Sequence, residues 1–425
     1  MALYAFDGTG NEDDNNEVTG VSEDSNVRNF YEAYTEKKEY IAGVGTRYGA
    51  LGKFFGGLFG AGGETRIEEM FSMLETNWKS GDRNIDIIGF SRGAALAVHF
   101  ANVIKNVGLK VDGDTVIPEV RFLGLWDIVG AFGIPRDIVF KFQSINIGYD
   151  LTLADNVNNC FHAMSLHERR DCFKITRLNK KHIIEGANET WFRGVHSDVG
   201  GGLKNSGLES ISLSWMFDNA INCGLPISEE HMELTKQQHN NMAPVSHNPD
   251  IIIGPRRRIL PKDVIHSTAT GKKLDVGESS IFLVDSKQLY NWSGVSLEQG
   301  FYYTFEPKTG QVWCDASIEC DTTGWKTENE LSGIKEFIVE HFEDNRRCTD
   351  ADWFELIGTI GDDDKKLFRI GAGGANKTYQ AIDDGELYAF ANDMLSKYGN
   401  NEGVIEVTVT RVASPGSSGK LQNCC

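Results

Sequence analysis

Apolar and polar positions fall into two textures along this chain. Over the first two-thirds, short apolar runs alternate with longer amphipathic stretches. Leu3 to Phe6, Glu39 to Ala42, Ile85 to Gly89, Val120 to Trp126 and Glu189 to Val195 read as strands, each followed by a Gly-rich or acidic loop. Between them, Glu64 to Trp78 and Ser210 to Asn222 carry helical periodicity. This alternation predicts an α/β fold, a mostly parallel sheet with helices on both faces, and functional loops at the carboxyl ends of its strands. From about Gln288 the texture changes to short aromatic and Thr-rich runs broken by Gly and Asp. Phe301 to Phe305, Phe368 to Ile370 and Val404 to Val412 read as strands, the last nearly alternating from Glu406 onward, and Glu330 to Phe342 as the long helical pattern. An antiparallel β-sandwich is expected there. The predicted division is therefore residues 1–285, a catalytic α/β domain, and residues 286–425, a sandwich domain. The segment Gly254 to Gly277 is the expected connection, and its basic run Arg256-Arg257-Arg258 is expected to pair with the chain's own acidic surface, the alternative being a polyanion-binding site.

A length of 425 residues supports two cores rather than one. The formal net charge of -19 argues against a nucleic-acid partner, since a phosphate backbone would be repelled, and it removes general attraction to anionic lipid. Met1 leads straight into Ala2-Leu3-Tyr4-Ala5-Phe6, without a basic, cleavable signal, so cytoplasmic synthesis and export by a signal-independent route are expected. The eight cysteines show no zinc spacing, and reduced thiols are expected, although Cys314 and Cys320 are close enough to pair. Cys424-Cys425 lacks the C-a-a-X form of a lipidation signal and stays unassigned.

Chemistry enters at Ile85 to Val98, IDIIGFSRGAALAV: strand, then G-x-S-x-G, then helix. That order holds a nucleophilic serine on a sharp turn, and Gly89 and Gly93 remove side chains that would crowd it. Ser91 is the candidate nucleophile. Its partners should follow in the chain order Ser, Asp or Glu, His. Asp127 ends the strand Phe122 to Trp126, and His196 ends the next clear strand, Thr190 to Val195. Asp198 rivals Asp127 as the orienting carboxylate, although two residues from the histidine it needs an unusual bend, and His266 is the rival base. The loop Asp7-Gly8-Thr9-Gly10 after the first strand can bring backbone N–H groups of Gly8 and Thr9 toward an oxyanion, alongside the N–H of Arg92. Gly43 to Gly49 has the wrong glycine spacing for a dinucleotide loop, and the apolar Phe54 to Gly60 reads as a buried connection or a lipid-touching loop.

In the second domain, Asp393, Asn400 and Asn401 place hard oxygen donors on one loop, and the Lys397 carbonyl can complete a Ca²⁺ shell with open positions for sugar hydroxyls. The alternative is a hairpin whose Asn and Gly residues satisfy turn geometry.

The fragments FDGTGN, GVGT, GFSRGAA, GLWDIVGAFG, HAMSLHERR and WFRGVHSDVGGG, in this order, resemble the α/β-hydrolase family that includes the type VI secretion lipase effectors, over roughly residues 1 to 270. The resemblance implies a Ser-Asp-His phospholipase or related esterase with its catalytic residues at Ser91, Asp127 and His196. One departure is His167, where the family usually has an acidic residue. The segment from Asn392-Asp393 to Tyr398-Gly399-Asn400-Asn401-Glu402-Gly403 resembles the calcium-dependent galactose-binding bacterial lectin, a likeness running from about Gln288 to Val412. It implies Ca²⁺ ligands at Asp393, the Lys397 carbonyl, Asn400 and Asn401, while the lectin's other sugar contacts are not placed by the likeness and galactose specificity is not implied. The expectation is a serine hydrolase cleaving lipid esters, a phospholipase acting as a secreted antibacterial effector. Its expected partners are a lipid or membrane substrate, a glycan, and a secretion-apparatus or immunity protein. The alternatives are a carbohydrate esterase targeted by its lectin-like domain and a non-catalytic glycan-binding protein.

Overall fold

The computed structural model describes residues 1–8, 24–42, 62–130, 151–170, 173–178, 187–203, 207–246, 254–326, 343–371 and 378–414. Thr9, the Gly43–Gly49 and Phe54–Gly60 segments, the expected helix Glu330–Phe342 and Cys424-Cys425 lie outside them. The chain divides into two compact units, Met1–Ser246 with Ile253–Ala269, and His247–Ile252 with Thr270–Cys425.

The first unit is built on a parallel sheet. Its strands are β1 (Ala2–Phe6), β2 (Lys37–Ile41), β3 (Ile85–Phe90), β6 (Val120–Trp126), β7 (Cys160–Ser165), β8 (Ala187–Phe192) and β9 (Val264–Ile265), with β4 (Leu109–Val111) and β5 (Asp114–Val116) forming a separate hairpin. Among the described residues the sheet order is β2-β1-β3-β6-β7-β8-β9, every pairing parallel. Both faces are covered, which is why β1 and β3 are buried at every position. Alternation along β1 assigns the faces. Tyr4 and Phe6 pack with Ile87, Val98 and Phe100 on the side of α2 (Gly62–Lys79) and α3 (Ser91–Val107). Leu3 and Ala5 pack with Phe30, Trp126 and Phe217 on the side of α1 (Asn26–Ala33) and the helix Glu209–Asn222.

Strand β7 has no counterpart in the sequence reading. Its run Cys-Phe-His-Ala-Met-Ser is fully buried, including His162, whose Nδ1 lies 3.3 Å from Glu189 Oε1 and whose Nε2 accepts the Ile128 N–H at 3.2 Å. A buried histidine with both nitrogens satisfied is compatible with a central strand, yet it breaks the apolar signal that marks one.

The second unit contains two four-stranded antiparallel sheets, β10-β20-β12-β17 and β11-β18-β15-β16, and a three-stranded sheet, β14-β13-β19. The strands are β10 (Ser279–Asp285), β11 (Asn291–Leu297), β12 (Tyr302–Pro307), β13 (Trp313–Asp315), β14 (Ile318–Cys320), β15 (Leu356–Ile360), β16 (Leu367–Arg369), β17 (Thr378–Gln380), β18 (Gly385–Ala391), β19 (Asn401–Glu402) and β20 (Val404–Val412). The alternation along β20 sends Ile405, Val407 and Val409 into a core with Phe282, Tyr303, Phe305 and Leu387. Phe368 and Tyr379 stack within it at 3.8 Å. Strand β10 pairs with β20 along its whole length, so this unit takes in residues that the aromatic texture, beginning near Gln288, assigns to the first.

Cys223, Cys314 and Cys320 are free, so Cys314 and Cys320 do not pair, whereas Cys348 is disulfide-bonded and departs from the expectation of reduced thiols. Among the described residues no helix is long and apolar enough to cross a membrane.

One buried ion pair braces the centre of the sheet. Asp86 on β3 is fully buried and receives Arg121 Nε at 2.9 Å, Arg121 Nη2 at 2.5 Å and the Tyr34 hydroxyl at 2.8 Å. Replacing Arg121 by Met strands the carboxylate, and the expected cost is about 3 kcal/mol of unfolding free energy, read by urea denaturation. A change below about 0.5 kcal/mol would refute this role.

Candidate functional site

Strand β3 runs into α3 through Ser91, whose φ of 58° lies in the left-handed region that a side chain rarely adopts. Such strain persists only where surrounding packing enforces it. Here the enforcement comes from glycines. A Cβ on Gly93 would strike the carbonyl oxygen of Phe6, and one on Gly89 would lie 2.7 Å from Ala94 Cα. Helix α3 therefore sits directly against β1 and β3 and leaves the serine no room to relax. The Ser91 carbonyl accepts the Val129 N–H at 3.2 Å, tying this turn to the loop that follows β6.

Asp127 opens that loop, is fully buried, and has its own positive φ of 39°. Its Oδ2 lies 2.6 Å from His196 Nδ1. The same carboxylate accepts the Ser165 N–H at 2.8 Å and the Ser165 hydroxyl at 3.1 Å, and both nitrogens of the Arg257 fork, at 2.6 and 3.0 Å. Burial alone would raise its pKa, but Arg257 and His196 outweigh burial and hold the carboxyl well below the usual range.

His196 departs from its expected place. Strand β8 ends at Phe192, and after Arg193-Gly194-Val195 the histidine begins the short helix His196–Gly200. The turn is shaped by Asp198, which accepts the Val195 N–H at 2.9 Å and the Ser246 N–H and hydroxyl at 3.0 and 2.8 Å. Asp198 is thus spent on backbone geometry while Asp127 meets the imidazole. Glu168, next to His167, accepts the His196 N–H at 3.2 Å and is held by Arg170. His167 itself accepts the Gly194 N–H at 3.0 Å through Nδ1.

The His196 ring lies 4.6 Å from each of the Phe90 and Phe173 rings. Phe90 immediately precedes Ser91, and a Cβ on Gly200 would collide with its ring, so packing seats the histidine's helix against the serine's turn. Nε2 of His196 is buried without a hydrogen-bond partner among the described residues. The other histidine considered, His266, packs its ring 4.7 Å from Phe192 and shares Nδ1 with Thr268.

Gly8 lies beside the serine: a Cβ built on it would sit 3.5 Å from Ser91 Cβ. Its N–H, however, donates to Asp7 Oδ1 at 2.6 Å, while Asp7 Oδ2 accepts the Ser25 and Tyr40 hydroxyls. Arg92 is the second residue of α3, and Thr9 lies outside the described residues. Sequence reasoning assigned no role to Ser165, Glu168 or Arg257, although the first two lie in the fragment HAMSLHERR and the third in the basic run Arg256-Arg257-Arg258.

In the second unit, Asp393 and Asn401 are buried, and Asp393 Oδ2 and Asn401 Oδ1 have no hydrogen-bond partner among the described residues. Asp393 Oδ1 accepts the Met394 N–H at 2.6 Å, Asn401 Nδ2 donates to the Ser286 carbonyl at 3.0 Å, and the Lys397 carbonyl accepts the Asn400 N–H at 3.1 Å. Asp315, absent from the sequence reading, lies opposite Asn401 in the β13–β19 pairing and accepts from Asn400 Nδ2 at 3.3 Å. Burial, reinforced by the charge of Asp315, pushes the Asp393 carboxyl up to about 6. Among the described residues no group of three or more His, Cys, Asp or Glu side chains is arranged to hold a metal ion.

Residues 3–118 and 111–219, together half of the chain, match the family described as T6SS, Phospholipase effector Tle1-like, catalytic domain. No curated protein matches the chain. Among solved structures, an uncharacterized protein from Pseudomonas aeruginosa is 19% identical with a TM-score of 0.39, covering 56% of this chain and 48% of its own. The chain thus spans about half the length of that protein. The Tle1 effector bound to the VgrG spike of the Type 6 secretion system is 16% identical, TM-score 0.36, covering 97% of this chain and 68% of its own. A PllA-like lectin, the EclA N-terminal domain, is 19% identical, TM-score 0.21, covering 31% of this chain and 94% of its own.

The loop bearing Asp127 leans on His162, and His162 leans on Glu189. Burial works to raise the Glu189 pKa, yet His162, the Leu178 N–H and Arg177 bring it down to about 2. A depressed carboxyl contributes stability that is complete above its ordinary value of 4.5 and lost as pH falls through about 2. Glu189→Gln is expected to flatten the acid-unfolding curve between those limits, followed by far-UV circular dichroism. A curve of unchanged slope would show that the carboxylate carries none of this stability.

Proposed function

This chain belongs to the T6SS phospholipase effector Tle1-like family, and from that premise we propose that its first unit is a serine hydrolase cleaving carboxylic esters of lipids, a phospholipase acting as a secreted antibacterial effector. The observation that carries this reading is the 2.6 Å contact between Asp127 and His196 Nδ1, with Nε2 unpartnered among the described residues and the imidazole packed on Phe90, next to Ser91.

In this mechanism Ser91 Oγ attacks the ester carbonyl while His196 Nε2 takes its proton. Asp127 holds Nδ1–H, fixing the tautomer and stabilising the imidazolium. The tetrahedral oxyanion is met by the Arg92 N–H at the start of α3, with the Gly8 and Thr9 N–H groups as the further proposed donors. Because Asp7 holds the Gly8 N–H, Arg92 is taken as the principal donor. Collapse expels the alcohol, which takes the proton from His196, and water then attacks the acyl-serine by the same proton path. As an effector of this family, the protein is proposed to leave the producing cell on a secretion apparatus.

For the second unit we propose a Ca²⁺-binding, lectin-like role that attaches the enzyme to a glycan-bearing surface. Its support is the pair of buried, unpartnered oxygens, Asp393 Oδ2 and Asn401 Oδ1, in a set of hard donors. Asp393, Asn400, Asn401 and the Lys397 carbonyl would hold the ion, which when bound supplies open coordination positions to sugar hydroxyls.

Two measurements test these readings. On phospholipid vesicles, Ser91→Ala is expected to abolish fatty-acid release, and Asp127→Asn to lower kcat by about 10⁴-fold; a fully active Ser91→Ala variant sinks the mechanism. Saturating Ca²⁺, at about 100 times Kd, should stabilise the full chain by about 2.7 kcal/mol and raise its melting temperature by a few degrees. Asp393→Ala should remove that rise. No rise at millimolar Ca²⁺ leaves these residues as turn formers.

A further inference from the structure

We propose that Arg257 is a positioning residue for the hydrolysis: by gripping both oxygens of Asp127 it sets how strongly that carboxylate can pull on His196. This rests on the reading of Ser91, Asp127 and His196 as the reacting groups.

The grip is extensive. Nη1 of Arg257 donates to Asp127 Oδ1 at 2.6 Å, the Ser165 carbonyl at 2.9 Å and the Ser165 hydroxyl at 2.5 Å. Nη2 donates to Asp127 Oδ2 at 3.0 Å and to the Phe173 carbonyl at 2.6 Å. The Arg257 side chain is only 6% exposed, so solvent hardly screens the pair. Of its two neighbours in the run, Arg256 and Arg258, both are exposed.

The arginine arrives on an anchored segment. Upstream, the Gly254 N–H donates to the Arg169 carbonyl at 3.1 Å, and Arg169 Nε returns a bond to the Gly254 carbonyl at 2.9 Å. Downstream, Asp263 receives Arg177 Nη1 and Nη2 and the Trp191 indole N–H, and β9 adds to the edge of the sheet beside β8. Long-range anchoring on both sides delivers a rigid fork rather than a wandering surface cation.

The chemical consequence follows from charge. A carboxylate facing an imidazole alone lends its full negative charge to the imidazolium that forms when serine gives up its proton. Asp127 shares Oδ2 between His196 and a guanidinium, so part of that charge is neutralised before any proton moves. The carboxylate stays ionised and fixed, and its attraction for a proton on the ring is discounted. Other charged groups near the ring are otherwise engaged: Glu168 is held by Arg170 and accepts the His196 backbone N–H, and Asp198 is bonded to Val195 and Ser246. Arg170 lies 4.1 Å over the Phe173 ring, which stands against the imidazole. Through the Phe173 carbonyl, Arg257 also fixes the backbone that carries this ring.

The test uses the full chain, a short-chain p-nitrophenyl ester and a fluorescent fluorophosphonate. Arg257→Met is expected to lower kcat/KM about a hundredfold, as loss of orientation does. It should also move the acid limb of the kcat/KM profile upward by about one pH unit, because the uncompensated carboxylate now favours the protonated ring. Arg257→Lys keeps a charge but loses the fork, so kcat should fall about tenfold with KM and the acid limb near wild type. Should the Met variant not fold, the Lys variant decides. Wild-type kcat in Arg257→Lys, or a folded Arg257→Met whose acid limb does not move, overturns the proposal. Failure of the parent reading is separate: wild-type protein that the fluorophosphonate does not label at Ser91 overturns that reading whatever Arg257 does.

Discussion

A buried anion needs partners, and the edge of the first unit that holds Asp127 is arranged around that requirement. Asp127 is fully enclosed at the end of β6, where an unpaired carboxylate would cost several kcal/mol. Its oxygens are satisfied by groups from three separate parts of the chain: Ser165 at the end of β7, His196 at the start of a helix, and Arg257 on the segment leading to β9. Ser165 and His196 arrive because the parallel sheet brings the carboxyl ends of β6, β7 and β8 to one side, and Arg257 because its segment is anchored at Gly254 and Asp263.

A second constraint is steric. Ser91 keeps its left-handed backbone because the carbonyls of Phe6 and Asp7 leave no space for a side chain at Gly93, and because Ala94 crowds Gly89. Gly200 likewise lets the Phe90 ring slide under the helix that carries His196. Electrostatics draws the histidine to Asp127, and close packing draws it to the turn of Ser91. Together they leave Nε2 as the nitrogen without a partner among the described residues.

The second unit has the opposite character. Its sandwich core is apolar, yet the buried side-chain oxygens near β19 that no described donor meets include Asp393 Oδ2 and Asn401 Oδ1. Unsatisfied buried acceptors are costly, and a hard cation is one way to satisfy them. Under the proposed reading this also answers a question of charge. A chain of net charge -19 gains nothing from anionic lipid, so surface attachment through sugars would serve where electrostatics does not.

Local sequence determined much of this. Apolar runs located β1, β3, β6 and β20 closely, and G-x-S-x-G between Ile88 and Ala94 marked the turn at Ser91, because strand, turn and helix signals are short-range. The order of Asp127 and His196 followed from strand ends. Strand β7 escaped, since His162 and Ser165 look polar until Glu189, Ile128 and Asp127 stand beside them. The strand read up to Val195 ends at Phe192, because Asp198 turns the chain only through contacts with Val195 and the distant Ser246. Arg257 showed itself as one of three like residues and could not be told from its neighbours. Which arginine turns inward, which carboxylate faces the imidazole and which oxygens are left without donors were decided by the tertiary structure, because burial and pairing depend on residues tens to more than a hundred positions away.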